Sequence, residues 1–478
     1  MSNLLSSLIT SAGALQAYSQ VLDVTQNNVT NASTPGYARQ SQEIVAMPFD
    51  PATGATGGIT TSQMVSSRNE YAEQAVRQQS ALLGDAQQNV SSFTALQPLF
   101  DISGNAGIPS ALNSLFQSFS AWGQTPGDST ARRTVMARAT DLANAFNQTA
   151  AGLDNVSQDT EKQLQQTVTQ VNQLLGQLQG YNRQILQGER NDAGLDARVH
   201  AALEQLSQYI DVTAMPQPDG SMSVLLNGQT PLVIGDKEFT LAYHAHQPDN
   251  PPAVFAGAPP HAQIVAADGT DITAKVTGGQ LGTLLNLRNK VLPSYIGDAY
   301  QAGDLNTMAK QFAERVNGLL TSGQLADGTP GAALFTFDAV NDTQAARMLA
   351  VDPAVQPDQL AAIDPGPPAY VSNGIPLALS RLASPVDDAD RINGASYNEF
   401  YGGIAASVGG KLADANNQLA VQQSALAQAK NMRQQMSGVS LDEEAAILIQ
   451  FQRAYEANSK LITILDQLTQ DTINILQT

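Results

Sequence analysis

Four histidines and no cysteine bound the nucleophilic and metal chemistry open to this chain. Without thiolates there are no disulfides, no cysteine nucleophile and no Cys-based zinc site. His244 and His246 stand two apart, so a strand would present both imidazoles on one face. That spacing suits a metal, but no third ligand cluster lies nearby, and a site would have to draw on Asp or Glu. An ordinary surface strand is the expected reading; the other two histidines are His200 and His261. Asp388, Asp390, Gly394 and Glu399 imitate a calcium loop, with Glu399 at the twelfth position counted from Asp388. An EF-hand needs glycine at the sixth position and a ligand at the fifth. Here Gly394 falls at the seventh and Ile392 at the fifth, so a turn or a capped helix start is expected instead. The carboxylate pairs Asp387-Asp388 and Glu443-Glu444 have no nucleophile or glycine-rich loop around them. Capping and solvation account for them better than acid–base catalysis. No catalytic, cofactor-binding or metal-binding residue is assigned, and no cofactor is expected.

What remains is packing, and the elements show where. Leu4, Leu8, Ser11, Leu15, Tyr18, Leu22, Thr25 and Val29 alternate by four and three, which predicts one amphipathic helix over 2–32 with a heptad seam. Such a helix would be ~45 Å long. Pro35-Gly36 stops it. Residues 38–66 read as an extended or β-like connector with a Gly-rich turn (Pro48, Pro51, Gly54, Gly57, Gly58). Residues 68–190 read as helical, broken at Gly104-Asn105-Ala106-Gly107 and between Gln124 and Asp128, with a second seam at Leu164, Val168, Val171, Leu175, Leu178, Asn182 and Ile185. A helix over 195–209 follows. Residues 213–274 switch to short alternating runs separated by Asp219-Gly220, Asn227-Gly228 and Gly235-Asp236, which is hairpin chemistry. Helix is expected again over 282–322, a loop-rich insert over 323–385, and two long helices over 394–436 and 440–477. Ser440 and Glu443 make a capping box for the last of these. Its seam runs through Ile447, Phe451, Ala454, Asn458, Leu461, Leu465, Leu468, Thr472 and Ile475.

The fold expected is mainly α with a small β-rich insert. It is an elongated multi-domain rod in which the N- and C-terminal helices pair into a coiled-coil-like inner domain. The domain boundaries expected are 1–66 with 437–478 for the inner domain and connector; 67–210, 280–322 and 386–436 for a helical body; 211–279 for the β-rich insert; and 323–385 for a short variable insert. An enzyme core rarely needs its two termini zipped together.

Composition narrows the function further. Of 478 residues only 14% are charged, below the roughly 25% of ordinary soluble proteins, and the balance is 24 − 43 = −19. No basic cluster stands out, which disfavours nucleic acid and anionic lipid surfaces as partners. No run of ~18 apolar residues is present to insert in a membrane. The N-terminus lacks the basic and apolar regions of a Sec signal. Export, if it occurs, is expected to need no cleaved peptide, and a cysteine-free chain suits unfolded passage through an oxidising space.

The run holding Asn27, Asn28, Asn31, Thr34, Gly36, Tyr37, Arg39 and Gln40 resembles the N-terminal motif of the flagellar rod, hook and hook-associated proteins. Residues 437–476 are similar to the partner terminus of that superfamily, with Gly438, Leu441, Asp442, Glu443 and Glu444 in the run SGVSLDEE. The LDEE variant resembles the hook-associated protein 1 (FlgK) family. So do Ser396-Tyr397-Asn398-Glu399-Phe400-Tyr401 with Val408-Gly409, and Leu195-Asp196-Ala197-Arg198-Val199, where the family's DQRD is half kept. The 323–385 stretch is short beside the outer domain that larger members carry.

The resemblance implies a structural role at the hook–filament junction, as a ring of about eleven copies closed by heterologous contacts. It implies the hook protein below, a second junction protein above, secretion by the flagellar type III export apparatus, and a cytoplasmic export chaperone on the C-terminal helix. It leaves open another axial component of the same superfamily. A secreted enzyme carrying such termini would need an acid, base and nucleophile within 206–390, and none is visible there. The assembly interface is expected at Leu4, Leu8, Leu15, Tyr18, Leu22, Val29, Ile447, Phe451, Leu461, Leu465, Leu468 and Ile475. Arg453, Tyr455 and Asn458 divide evenly between contact and plain helix surface. Both ends are expected to find full burial only among neighbouring copies. A channel wall of Gln, Asn, Ser and Thr would offer passing cargo neither apolar adhesion nor charge traps.

Overall fold

The computed structural model describes residues 2–50, 55–101, 106–247, 251–255, 257–338, 340–367 and 369–477. The first helix, α1 (Ser2–Asn31), ends as its last carbonyls close onto Ala32 and Thr34, and Gly36 then turns the chain at φ 77°. The connector folds as one antiparallel hairpin in three rungs. These are β1 (Gln40–Ser41) with β6 (Val65–Ser66), β2 (Ile44–Ala46) with β5 (Ile59–Thr61), and β3 (Phe49–Asp50) with β4 (Ala55–Thr56). Gly57 and Gly58 carry positive φ near its tip, whereas Pro51 and Gly54 of the expected turn lie outside the described residues. The hairpin packs on α1, where the Thr61 hydroxyl donates to Gln20 Oε1 at 2.6 Å.

Helices follow: α2 (Glu70–Leu96), α3 (Gly107–Gln124), α4 (Ser129–Gln184) and α5 (Ala193–Tyr209). The break expected at Gly104 and Asn105 lies outside the described residues. The break at 124–128 is a tight turn in which Thr125 N–H donates to Trp122 O and Asp128 N–H to Thr125 O.

The chain divides into two compact units, and α2, α4 and a long later helix, α11 (Tyr397–Ser437), each contribute a part to both. The first comprises Met1–Ala81, Gln173–Phe239 and Gln423–Thr478. It holds α1, the connector hairpin, α5, the last helix α12 (Leu441–Gln477) and a four-stranded antiparallel meander. The meander runs β7 (Val212–Pro216), β8 (Met222–Leu226), β9 (Thr230–Ile234) and β10 (Lys237–Glu238). Asn227 and Gly228 both take positive φ between β8 and β9, the geometry a tight hairpin turn needs. Asn182 of α4 braces this sheet: its amide donates to Met222 O and Gly235 O, each at 2.8 Å, and accepts from Met222 N–H at 2.8 Å.

The second unit comprises Leu82–Asn172 and Thr240–Gln422. It carries the hairpin β11 (Ala242–His246) with β12 (His261–Val265), so the strands of the 211–279 segment divide between the two units. Its core gathers Phe119, Trp122, Phe146, Phe312, Tyr397 and Tyr401, with the Phe312 and Tyr397 rings edge to face at 5.1 Å. The single helix expected over 282–322 is instead two: the first runs without a break through α6 (Gly279–Asn286), a π-helical turn at Leu287–Val291 and α7 (Leu292–Ile296), and the second is α8 (Asp304–Ser322). The interruption is enforced by Gly297 and Gly303, both at φ 83°, where an added Cβ would lie 2.3 Å from backbone atoms.

The 323–385 stretch is short-element chain as expected: β13 (Phe335–Thr336), α9 (Ala345–Met348), β14 (Ala350–Val351) and α10 (Gly374–Arg381). Its Leu334, Phe335, Leu349, Leu360 and Leu379 are buried in the same core, so this stretch is an integral part of the unit. The long helix α11 (Tyr397–Ser437) completes the set. The fold class expected from sequence holds: mainly helical, with a central β-rich region and long terminal helices packed together.

Candidate functional site

Three residues between α11 and α12 bring the C-terminal helix back to the N-terminal motif, and the motif side chains close the joint. Asn28, buried on α1, is its hub. Its amide donates to Gln40 O (2.8 Å) and to Glu444 Oε2 (3.1 Å), while its Oδ1 accepts from Gln40 N–H (2.9 Å) and the Tyr37 hydroxyl (2.9 Å). Arg39 Nε donates to Glu444 Oε1 at 2.6 Å, and Arg39 N–H donates to Ser437 O at 2.9 Å. The Glu444 side chain is only 1% exposed, so its charge is held by Arg39 and Asn28.

The Tyr37 proton is shared between Asn28 Oδ1 and Asn27 Oδ1, the latter at 3.0 Å, and its phenol is pushed up to about 12, by burial first and then by the Glu444 carboxylate. Asn31 donates to Asn27 O and accepts from the Thr34 hydroxyl, which shapes the turn after α1. Gly36 is required twice over: its φ is positive, and a Cβ there would lie 2.4 Å from Ala197 O of α5. Gly438 lies as close to Gln434, where a Cβ would meet the carbonyl oxygen at 2.4 Å. Ser440 caps α12, its hydroxyl accepting from Glu443 N–H at 3.4 Å. Asp442 and Glu443 are exposed beside it, at the end of the helix that favours negative charge. Ser437, which opens the run SGVSLDEE but was not singled out within it, takes part through both its carbonyl and its hydroxyl, the latter accepting from Asn69 N–H at 3.0 Å.

Beyond this joint α1 and α12 pack along their lengths. Tyr18 and Phe451 meet with ring centroids 6.0 Å apart, and Asn458 donates to Ser11 O at 2.7 Å. The face of α1 that is fully buried holds small and polar residues: Ser11, Ala17, Val21, Thr25 and Asn28. Leu4, Leu8, Leu15, Tyr18, Leu22, Ile447, Phe451 and Leu465 are half-buried. Val29, Leu461, Leu468 and Ile475 remain exposed, as do Arg453 and Tyr455. Leu5, Ile9 and Ile464 are also exposed, and the sequence reading did not single them out; Ile464 is 59% accessible. Leu461, Ile464 and Leu468 fall at i, i+3 and i+7, on one face of α12. The pair therefore covers one apolar stripe and leaves another open to water.

The remaining candidates have structural explanations. His244 and His246 lie exposed on β11; His246 stands opposite His261 in register, and His261 Nε2 is 3.2 Å from Asp298 Oδ2. Among the described residues no group of three or more His, Asp or Glu is placed to hold a metal ion. Glu399 accepts from Ser396 N–H at 2.9 Å and Ser396 accepts from Glu399 N–H at 3.3 Å, a reciprocal capping box for α11. Those bonds hold the Glu399 carboxyl below its ordinary value. Asp388 and Asp390 form a single turn of 3₁₀ helix after Asp387, and Asp390 pairs with Arg315 at 2.5 Å.

Comparison with known proteins bears on the same regions. Residues 93–335 match the family model described as the flagellar hook-associated protein FlgK helical domain, and 418–475 match that of the flagellar basal body rod FlgEFG protein C-terminal. The chain is 27% identical to flagellar hook-associated protein 1 of Bacillus subtilis, over 98% of this chain and 97% of that protein. It is 24% identical to flagellar hook-associated protein 1 of Escherichia coli, over 98% of this chain and 100% of that protein. The solved structure of the flagellar hook junction protein FlgK from Burkholderia pseudomallei superposes with a TM-score of 0.64 at 17% identity, covering 76% of this chain and 99% of that one. That likeness is one of fold.

Proposed function

This chain belongs to the flagellar hook-associated protein FlgK family, and from that membership we propose that it is a secreted structural subunit of the bacterial flagellum, joining hook to filament. It is an axial structural protein and not an enzyme. The observation that carries the mechanism is the half-covered helix pair. The motif joint clamps α1 to α12 within one chain, so each subunit presents a prepaired unit with an apolar stripe facing outward. A subunit that offers such a stripe to a different patch on its neighbour builds a ring or helical layer, here of about eleven copies.

In this reading the residues at 1–66 and 437–478 are the packing domain, and Val29, Leu461, Leu468 and Ile475 make the contacts between copies. Leu4, Leu8, Leu15, Tyr18, Leu22, Ile447, Phe451 and Leu465 set the internal seam and share the remaining cover. The hook protein contacts the ring from below and a second junction protein from above. Before assembly the open stripe on α12 is an aggregation hazard, and a cytoplasmic export chaperone on that helix masks it until the flagellar type III apparatus secretes the chain. The test is a deletion strain. Loss of filaments with hooks intact, and flagellin shed into the medium, is the expected phenotype. A copy carrying Leu461→Ser and Leu468→Ser should be exported but fail to restore filaments. Intact filaments in the deletion strain would refute the reading.

A further inference from the structure

Beneath the joint, the first unit gathers a cluster of charges that the packing role does not use, buried at Glu73 and Arg77 and open to water at Glu70 and Lys430. Four cations and four carboxylates converge from four segments: Arg68 of the connector; Glu70, Glu73 and Arg77 of α2; Asp196 and Glu204 of α5; and Lys430 and Arg433 of α11. Arg68 donates to Glu73 at 2.5 Å and to Asp196 at 2.6 Å, and Arg433 donates to Glu73 at 3.3 Å and to Glu204 at 2.8 Å. Lys430 Nζ pairs with Glu204 at 2.7 Å, and Arg77 Nη2 lies 3.9 Å from Glu70. The formal charges balance, four against four.

His200 of α5 sits among them with its side chain 2% exposed. Asp196, Glu73 and Glu70 are 3.6, 3.9 and 4.0 Å from its ring nitrogens, too far for hydrogen bonds. Its Nδ1 has no hydrogen-bond partner, nor does Arg77 Nη1. Every carboxylate within reach is thus already paired with a guanidinium, and a proton on His200 would add a fifth, uncompensated positive charge in a buried place.

We propose that this cluster is an acid-sensitive clamp at the root of the terminal helices, closed while His200 is neutral and opened when His200 takes a proton. The route to the motif is short. Arg68 Nη2 donates to Gly36 O at 2.7 Å, and the next residue, Asn69, donates its N–H to the Ser437 hydroxyl. Opening the cluster therefore releases the turn that holds Tyr37 and Arg39 against α12.

Burial first, and then Arg68, Arg77 and Arg433, hold His200 well below its ordinary value. The folded clamp stays unprotonated while the opened one takes up a proton below about pH 6.5, so closure is complete above that pH and weakens as pH falls. Two carboxylates titrate in the same surroundings. Burial raises Glu70 despite Arg77 and Arg68, so its uptake of a proton in acid favours the folded form. Glu204 is held low because hydrogen bonds from Lys430 and Arg433 overcome its burial, so its contribution is lost only in stronger acid.

The test is hydrogen exchange of α5 and of residues 66–73 in the full-length monomer between pH 7.5 and 5, corrected for intrinsic exchange. The opening equilibrium should rise by up to about tenfold per pH unit below about 6.5. His200→Gln, which cannot take the proton, should remove that dependence whatever its absolute stability. Equal pH dependence in the wild type and in His200→Gln would overturn the proposal. If the variant does not fold, histidine ring resonances of the wild-type chain decide. His244→Gln, His246→Gln and His261→Gln assign the other three signals by elimination. The His200 ring should stay neutral in the folded chain at pH 5.5, and its protonation there without loss of structure would overturn the proposal.

Discussion

Replacing Glu444 by alanine removes a buried carboxylate that ties the two ends of the chain across 416 residues. The loss comprises a charged bond from Arg39 at 2.6 Å and a bond from the Asn28 amide at 3.1 Å. Breaking a fully buried ion pair costs about 3–5 kcal/mol. This case falls lower for two reasons. Asn28 keeps Gln40 O as a partner, and Arg39 is 27% exposed and can turn to water. A charged hydrogen bond is worth about 1.5–3 kcal/mol, so the expected cost is about 2–3 kcal/mol, or roughly 30- to 150-fold in the local opening equilibrium. The assay is hydrogen exchange of the monomer over peptides spanning 27–41 and 437–450. The control is Glu443→Ala, one residue away and exposed, where only a helix-end charge is lost and the effect should stay under about 1 kcal/mol. Glu444→Gln, which keeps the shape without the charge, should fall between them. If Glu444→Ala opens the joint no more than Glu443→Ala, the claim that this carboxylate clamps the ends is refuted.

Gly36→Ala places a side chain at φ 77° and a Cβ 2.4 Å from Ala197 O, so it should cost more than the ~1–2 kcal/mol of the backbone strain alone, read as a lower melting temperature. Tyr37→Phe loses the shared hydroxyl bond and should cost about 1 kcal/mol at neutral pH by urea titration. It should also flatten alkaline unfolding. Because the folded phenol is raised to about 12, the unfolded chain ionises first, and the stability contributed by Tyr37 is present below about pH 10 and lost between 10 and 12. Asn182→Ala strands Met222 N–H, Met222 O and Gly235 O, and should cost about 2–4 kcal/mol by urea titration. Leu468→Ser, on an open face, should leave the monomer's unfolding free energy within about 0.5 kcal/mol of wild type by urea titration while weakening self-association in sedimentation.

The long helices were legible because heptad spacing repeats over many turns, and the β8–β9 hairpin because Asn227-Gly228 admits few other conformations. Period alone could not say which stripe pairs inside the chain. On α1 the fully buried line passes through Ala17 and Val21, one residue from Tyr18 and Leu22. The interruption at Gly297 and Gly303 was marked by Gly297-Asp298 and Gly303-Asp304 and was passed over, while the backbone crowding that makes both glycines obligatory is tertiary. In 323–385 the elements are too short to show a period, yet Leu334, Leu360 and Leu379 are wholly buried. Glu444 reads locally as a helix-end charge; its bond to Asn28 depends on residues 416 apart and becomes visible only when the ends meet. The surroundings of His200 gave no signal, because the charges around it come from the connector, α2, α5 and α11.

The cysteine-free sequence permits the most direct test. A single Ile464→Cys on the open face of α12, and Ser459→Cys on an exposed polar face of the same helix as a control, can be labelled with a maleimide in the monomer and in isolated flagella. Position 464 should react readily in the monomer and become strongly protected in flagella, with protection at 459 distinctly weaker. Equal labelling of Ile464→Cys in both states would mean that neighbouring copies do not cover this stripe, and would contradict the account.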